Sequence, residues 1–287
     1  MHYHYTVEFL ARQLQRLVKS KPAKPKCNNK MFASDLEAAV IQLPISKGDS
    51  LMVHSSLGCI DAKPQDVINI FRSLIGEQGT LLMPTHPALA PDGNMLVYDI
   101  TESKSRVGYL TEYFRNMPGT LRSQHPFASV AAQGPKAEEY LKDNLQENSL
   151  PHGIHSAYYR FCKDGGKVLC VGVTAIGRAT VKHVAEEVLD TAFPVRNAFI
   201  PRNVRIQDKG TIIGDYVVRE RTDKLIPFLA KSRLNRDWDR ENFVVKQKVQ
   251  EHPVQLLDAK ACFEWMYAKA QQGYTMYPLA RLSPKFR

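Results

Sequence analysis

No stretch of this chain stays apolar long enough to cross a bilayer. Its longest apolar runs are short, as at Lys167–Val173, whereas a membrane helix needs about 20 residues. Cysteine is sparse: Cys27, Cys59, Cys162, Cys170 and Cys262 are scattered, with no CxxC pair. An odd, dispersed set argues against a disulfide framework and against a zinc cluster. Cys170, inside an apolar strand pattern, reads as a small buried hydrophobe. HExxH, the phosphate-loop pattern of NTPases and a GxGxxG after a strand are all missing, which sets aside zincins and the common nucleotide folds. RRM, KH, zinc-finger and helix-turn-helix signatures are missing too, which argues against nucleic acid as a partner. His2, Glu8, Arg12, Gln13 and Arg16 stand where the apolar core of a signal peptide would lie, so the expectation is a cytoplasmic protein.

What is present suits a globular fold. With 287 residues, 44% hydrophobic and 24% charged, the chain can bury a sizeable core. A formal charge of +10 points to anionic partners, whether nucleic acid, a membrane surface or small molecules. The local run Arg12, Arg16, Lys19, Lys21, Lys24, Lys26 and Lys30 reads as a solvated basic face plus a linker.

Apolar residues at helical spacing (Val7, Leu10, Leu14, Leu17, Val18) predict an N-terminal helix. Lys19–Lys30 with Pro22 and Pro25 predicts a linker. An arm over 1–30 therefore precedes one domain over 31–287. Ser34 and Glu37 predict a capping box. Strands are expected at 51–54, 79–84, 130–132 and 166–173, and helices at 64–75, 109–117, 137–145 and 180–189. Residues 85–105 read as a long loop. Phe199–Ile206 and Thr211–Val218 alternate about Asp208-Lys209-Gly210, a hairpin signal. The tail reads as a helix over Val254–Gln271. Strands alternating with helices imply an α/β fold with a central mixed sheet flanked by helices.

Three segments could carry chemistry. His54-Ser55-Ser56-Leu57-Gly58 follows the first strand; hydroxyls and backbone N–H groups past a strand end suit phosphate oxygens, although turn-forming serines look the same. In Arg122-Ser123-Gln124-His125-Pro126, Arg122 could grip a phosphate bidentately or serve a structural ion pair. His183 and Glu186, three apart on an expected helix, share a face. A carboxylate on an imidazole fixes its tautomer and raises its basicity, as a general base requires. Glu187 falls about 100° away on the helix wheel. The spacing alone has little specificity. Histidines 86, 125, 152, 155 and 252 have a structural reading as hydrogen-bonded residues, which is retained for His252.

Together these segments resemble the aminoglycoside 3-N-acetyltransferase family. The matching stretches are Asp49–Gly58, Gly79–Thr85, Arg106-Val107-Gly108, Phe114-Arg115, Arg122–Ser129, Gly166–Gly172 and Thr180–Glu186, in the family's order over roughly 35–190. The chain departs from the family pattern at Ala179, where Asn is usual, and at Ser156-Ala157, where Ser-Pro is common. The resemblance implies an α/β acyltransferase fold distinct from the GNAT fold. It implies acetyl-CoA or another acyl-CoA as co-substrate, no metal, and a small-molecule amine as acceptor, and it leaves a homodimer open. By position it implies that His54, Ser55 and Ser56 border the pantetheine and pyrophosphate of CoA. Arg122 and Ser123 would hold the phosphates or the pantetheine arm. His183 would deprotonate the amine, Glu186 would orient His183, and Thr180 would donate to the thioester oxygen. Aminoglycosides are polycations, which a +10 protein repels at long range. The charge therefore ranks a nucleotide-linked amino sugar first as acceptor, ahead of an aminoglycoside in antibiotic resistance. A non-catalytic, polyanion-binding relative is the third reading.

Overall fold

The computed structural model describes residues 29–283 and 286; the expected helix at 7–18 and most of the basic linker lie outside them. Strands follow in the order β1 (Met31–Phe32), β2 (Ser50–Ser55), β3 (Ile60–Asp61), β4 (Thr80–Pro84), β5 (Ala90–Asp92), β6 (Met95–Asp99), β7 (Leu121–Arg122), β8 (Val130–Gln133), β9 (Lys167–Val171), β10 (Phe199–Asp208), β11 (Thr211–Arg221), β12 (Val244–Val249) and β13 (His252–Asp258).

Seven of these form one sheet in the order β12-β13-β9-β2-β4-β8-β7. β9, β2 and β4 run parallel at its centre, and antiparallel strands flank them on both sides. The central strands are apolar without alternation, so both faces must be covered. Successive side chains serve opposite layers. Met52, Leu82, Val168 and Cys170 join one core with the helices Ala157–Lys163 and Ala259–Gln271. Leu51, Val53, Leu81, Leu169 and Val171 join another with the helices Ala33–Ile41, Pro64–Ile75 and Tyr109–Arg115. Each fully buried Leu or Val contributes about 1.5–3 kcal/mol of transfer free energy, so the three layers hold together through the sheet. The fold is the expected mixed sheet between helices.

A second, four-stranded sheet has the order β11-β10-β6-β5. The expected hairpin is β10–β11, turned at Lys209 and Gly210 with φ of 49° and 79°, the positive pair of a type I′ turn. The expected loop over 85–105 instead contributes β5 and β6, with β6 parallel to β10. Tyr98, Val204, Ile206 and Val218 make the small core of this sheet.

Other expectations are corrected. The first described helix has Phe32 at its N-cap and no side-chain cap, so the Ser34–Glu37 capping box does not form. The tail helix starts only at Ala259, capped by Asp258, whose side chain accepts from Ala261 N–H at 2.9 Å; Val254 to Leu257 belong to β13. Cys162, Cys170 and Cys262 are free and buried, whereas Cys59 is disulfide-bonded, against the expectation from an odd, dispersed set.

Candidate active site

The carboxyl ends of β2, β4 and β9 open on one cavity of about 830 Å³. Ligands of open parallel sheets sit outside such strand ends. His54 comes from the end of β2, Pro84 and His86 from the end of β4 and the turn beyond, and Gly177, Arg178, Thr180, Lys182 and His183 from the segment after β9. The facing wall belongs to the second sheet, through Leu96, Arg202, Glu220 and Arg221. His152 closes the remaining side.

Thr180–His183 is a 3-10 turn, and a short α-helix, Val184–Glu187, follows it. The change from three to 3.6 residues per turn breaks the single helix wheel expected over 180–189. The expected pairing of His183 with Glu186 gives way accordingly. Glu186 Oε1 accepts from Met276 N–H at 2.5 Å, while its Oε2 and His183 Nδ1 are both buried without a hydrogen-bond partner, so no bond joins the two residues there. Glu187 is the carboxylate that reaches the site. Its Oε1 lies 2.8 Å from His152 Nδ1 and its Oε2 accepts His152 N–H at 2.7 Å. Arg221 Nη2 donates to Oε1 as well. The His152 and His183 rings are neighbours, with centroids 5.4 Å apart, and His183 Nδ1 and His152 Nε2 are buried without partners.

Electrostatics separates the two adjacent carboxylates. Burial would raise the Glu187 pKa, but the charges of His152 and Arg221 hold it down to about 2. Burial pushes Glu186 up to about 7, with the Met276 N–H and Arg221 opposing only in part. Burial holds His183 well below the ordinary imidazole range, helped by the positive surroundings of Arg221 and Lys182. His54 and His86 fall to about 3, burial again leading. These imidazoles are therefore neutral at pH 7. Thr180 lines the cavity while bonding Tyr158, whose hydroxyl also lies 3.2 Å from His86 Nε2.

The remaining expected residues stand apart from the cavity lining. Ser55 ends β2, and Ser56 N–H donates to Val171 O at 2.9 Å. Gly172 allows this close turn: its φ is +68°, and a Cβ there would stand only 3.2 and 3.3 Å from the Cβ atoms of Cys59 and Ser56. Arg122 spends its guanidinium on Thr85 Oγ1 and the carbonyls of Thr85, Ile100 and Ser103, at 3.2, 2.6, 3.0 and 2.5 Å. Ser123 is buried, its Oγ accepting from Val130 N–H at 3.0 Å. His54, Thr180 and His183 are thus brought together, while Ser55, Ser56, Arg122 and Ser123 are not among the cavity-lining residues. Sequence reasoning passed over His152, Glu187, Arg221 and Lys182. Only Lys182 had a local signal, a lysine set among Val181, Val184 and Ala185.

Among the described residues, no cluster of His, Cys, Asp and Glu is arranged to hold a metal, and no helix is long and apolar enough to cross a membrane.

Known proteins resemble this chain in sequence and fold. The family profile described as aminoglycoside 3-N-acetyltransferase matches residues 52–270. Aminoglycoside N(3)-acetyltransferase VIII of Streptomyces fradiae is 33% identical over 172 residues, 53% of this chain and 58% of that protein. Aminoglycoside N(3)-acetyltransferase IV of Salmonella sp is 30% identical over 188 residues, 64% of this chain and 68% of that protein. The match thus spans under two thirds of the Streptomyces fradiae relative. Among solved structures, AAC-IIIb in binary complex with CoASH superposes with a TM-score of 0.70 at 22% identity, covering 85% of this chain and 98% of that one. Aminoglycoside acetyltransferase AAC(3)-Xa superposes with 0.72 at 21% identity, covering 95% and 99%. These likenesses show the fold, and the family profile over most of the described domain shows the lineage: the chain belongs to the aminoglycoside 3-N-acetyltransferase family.

Proposed function

We propose that this protein moves an acyl group from acyl-CoA to the primary amine of an amino sugar, with aminoglycosides the acceptor class that the relatives favour. One observation carries the reading: His183, with His152 and its Glu187 anchor beside it, opens on the cavity at the strand ends.

An amine at neutral pH is mostly ammonium and cannot attack a thioester until a base removes a proton. His183, kept neutral, takes that proton. The imidazolium so formed would suffer next to Arg221 and Lys182. The Glu187 carboxylate, held against the neighbouring His152, offsets part of that cost. Thr180 supplies a hydroxyl on the same wall, held from behind by the buried Tyr158, and Thr180 is our choice of donor to the thioester oxygen. His54 serves the CoA side. Arg122 and Ser123 act indirectly in this reading, since Arg122 ties down Thr85 next to His86. No covalent enzyme intermediate is needed when donor and acceptor bind together, because proximity supplies much of the rate.

A second reading rests on charge. Arg106, Arg178 and Lys182 line the cavity with no carboxylate partner among the described residues, and Glu220 is paired with Arg202 at 2.7 Å. That balance favours an anionic acceptor, such as a nucleotide-linked amino sugar, over a polycation.

Thiol release from acetyl-CoA, measured with an aminoglycoside and with a nucleotide-linked amino sugar, tests both readings. Turnover of the aminoglycoside is expected, and turnover of the nucleotide sugar alone would reverse the order. His183→Ala is expected to lower kcat by about 10²–10⁴. Near-native kcat at saturation would remove His183 from the base role, and silence with every amine would end the enzymatic reading.

A further inference from the structure

Lys182 is 4% exposed and lines the reaction cavity. Its Nζ reaches only backbone carbonyls, Ile176 O at 3.2 Å and Gly177 O at 3.4 Å. Both contacts are long, and among the described residues no carboxylate answers its charge. Lys231, Arg221 and Arg178 add positive charge nearby, and only the buried Cys170 thiol acts the other way. A buried, uncompensated ammonium is costly.

A second orphan lies beside it. His54 is 6% exposed, lines the same cavity, and its Nε2 is buried with no hydrogen-bond partner. Lys182 is the largest charged influence on this imidazole. Arg178, exposed and also on the cavity wall, adds positive field. One anion accepting from both Lys182 Nζ and a His54 Nε2–H would satisfy both orphans through charge-assisted bonds.

We infer that Lys182 and His54 form an anion subsite inside the reaction cavity, for a carboxylate or phosphate carried close to the reacting atoms by the acyl chain or by the amine. This rests on the acyl-transfer reading only for where the reacting atoms lie. Lys182 and His183 are consecutive and open on the same cavity, so an anion on Lys182 sits near the transfer centre. The phosphates of CoA are separated from the thioester by the whole pantetheine arm and do not suit that position.

Calorimetric titration of the full chain with succinate and with glucose 6-phosphate tests the site without requiring turnover. The native protein is expected to bind at least one of them, with Lys182→Met weakening it about tenfold or more and Lys182→Arg retaining most of the affinity, as for loss or retention of one charge-assisted bond. Succinate binding, matched by preference for succinyl-CoA over acetyl-CoA, assigns the anion to the acyl chain. Glucose 6-phosphate binding, matched by preference for a phosphorylated amino sugar, assigns it to the acceptor. Thermal melting checks that Lys182→Met folds; Lys182→Gln repeats the titration if it does not. Equal binding by native and charge-free variants overturns the inference. So does an effect of Lys182→Met confined to CoA alone, which would return the charge to the donor's phosphates. Charge-dependent binding without thiol release on any amine would uphold the subsite and overturn the proposed function instead.

Discussion

The Glu187 carboxylate grips His152 twice, at the ring nitrogen Nδ1 and at the backbone N–H, and takes Arg221 on the same oxygen that meets the ring. This residue is wholly buried, so its charge is answered entirely by protein. Glu187→Gln keeps the shape and removes the charge, leaving Arg221 uncompensated. A loss of about 3–5 kcal/mol of stability is expected, the cost of breaking a buried ion pair from one side, together with a fall in kcat. Urea unfolding and thiol release measure the two. A stability change within about 0.5 kcal/mol, the range of ordinary surface substitutions, would show that the network is dispensable.

Glu186 and Glu187 should respond to pH in opposite directions. Glu187, held at about 2 from an ordinary 4.5, adds stability that is complete above 4.5 and is lost as pH falls toward 2. Glu186, raised to about 7, binds its proton more tightly when folded, so its burial costs nothing below 4.5 and a growing amount as pH rises toward 7. Glu186→Gln can keep its acceptor for Met276 N–H. It should therefore raise Tm at pH 8, by about 1–3 kcal/mol in stability, and leave it little changed at pH 4.5. A stabilisation equal at both pH values would contradict this sign.

Buried neutral histidines make the protein sensitive to mild acid. His54 and His86 are lowered to about 3 and His125 to about 4, in each case chiefly by burial. Groups with depressed imidazole pKa give full stability above the unfolded value of 6.5 and lose it as pH falls below. Each accounts for up to about 1.4 kcal/mol per pH unit. The urea midpoint should drop between pH 7.5 and 5.5, and His125→Gln should flatten the slope. A midpoint flat over that interval would contradict the prediction.

Arg122 is expected to act on the fold. Four acceptors on three residues converge on its guanidinium, which also sits 5.1 Å from the Tyr98 ring centre. Arg122→Met removes this donor from the Ile100 and Ser103 carbonyls and leaves Thr85 O with Ser129 Oγ at 2.7 Å, for about 2–4 kcal/mol of lost stability. The KM for acetyl-CoA should stay within a few-fold of native. A large rise in that KM with unchanged stability would restore Arg122 to phosphate binding.

Elements with strong local signals were legible in the sequence. The helix Pro64–Ile75 has Pro at its start, Gly76 after its end and a one-sided apolar stripe, and it forms with those bounds. The central strands are short apolar runs, and the β10–β11 turn carries its Gly at the position of positive φ. Strands β5 and β6 were not legible, because β5 is wholly exposed and β6 is mostly half-exposed, held by pairing with distant β10 rather than by its own pattern. β13 reads as helix because Val254, Leu256 and Leu257 lead, past Asp258 alone, into the apolar residues of a real one. The site divides the same way. His54, Thr180 and His183 sit in contiguous motifs at strand ends, whereas the His152–Glu187 contact joins residues 35 apart through folds of the chain that no local pattern encodes.

The two walls of the cavity come from different sheets. The proposed base His183 follows the strand end of β9, and Arg202 and Glu220 face it from the hairpin β10–β11. That hairpin has its own small core, and Arg221 at its end ties it to Glu187 and Tyr277. Its residues other than Arg221, such as Arg202 and Glu220, can therefore be substituted while the contact of Arg221 with Glu187 keeps His152 in place. Such a division would let a lineage trade one acceptor for another while the proposed chemistry of transfer stays in place.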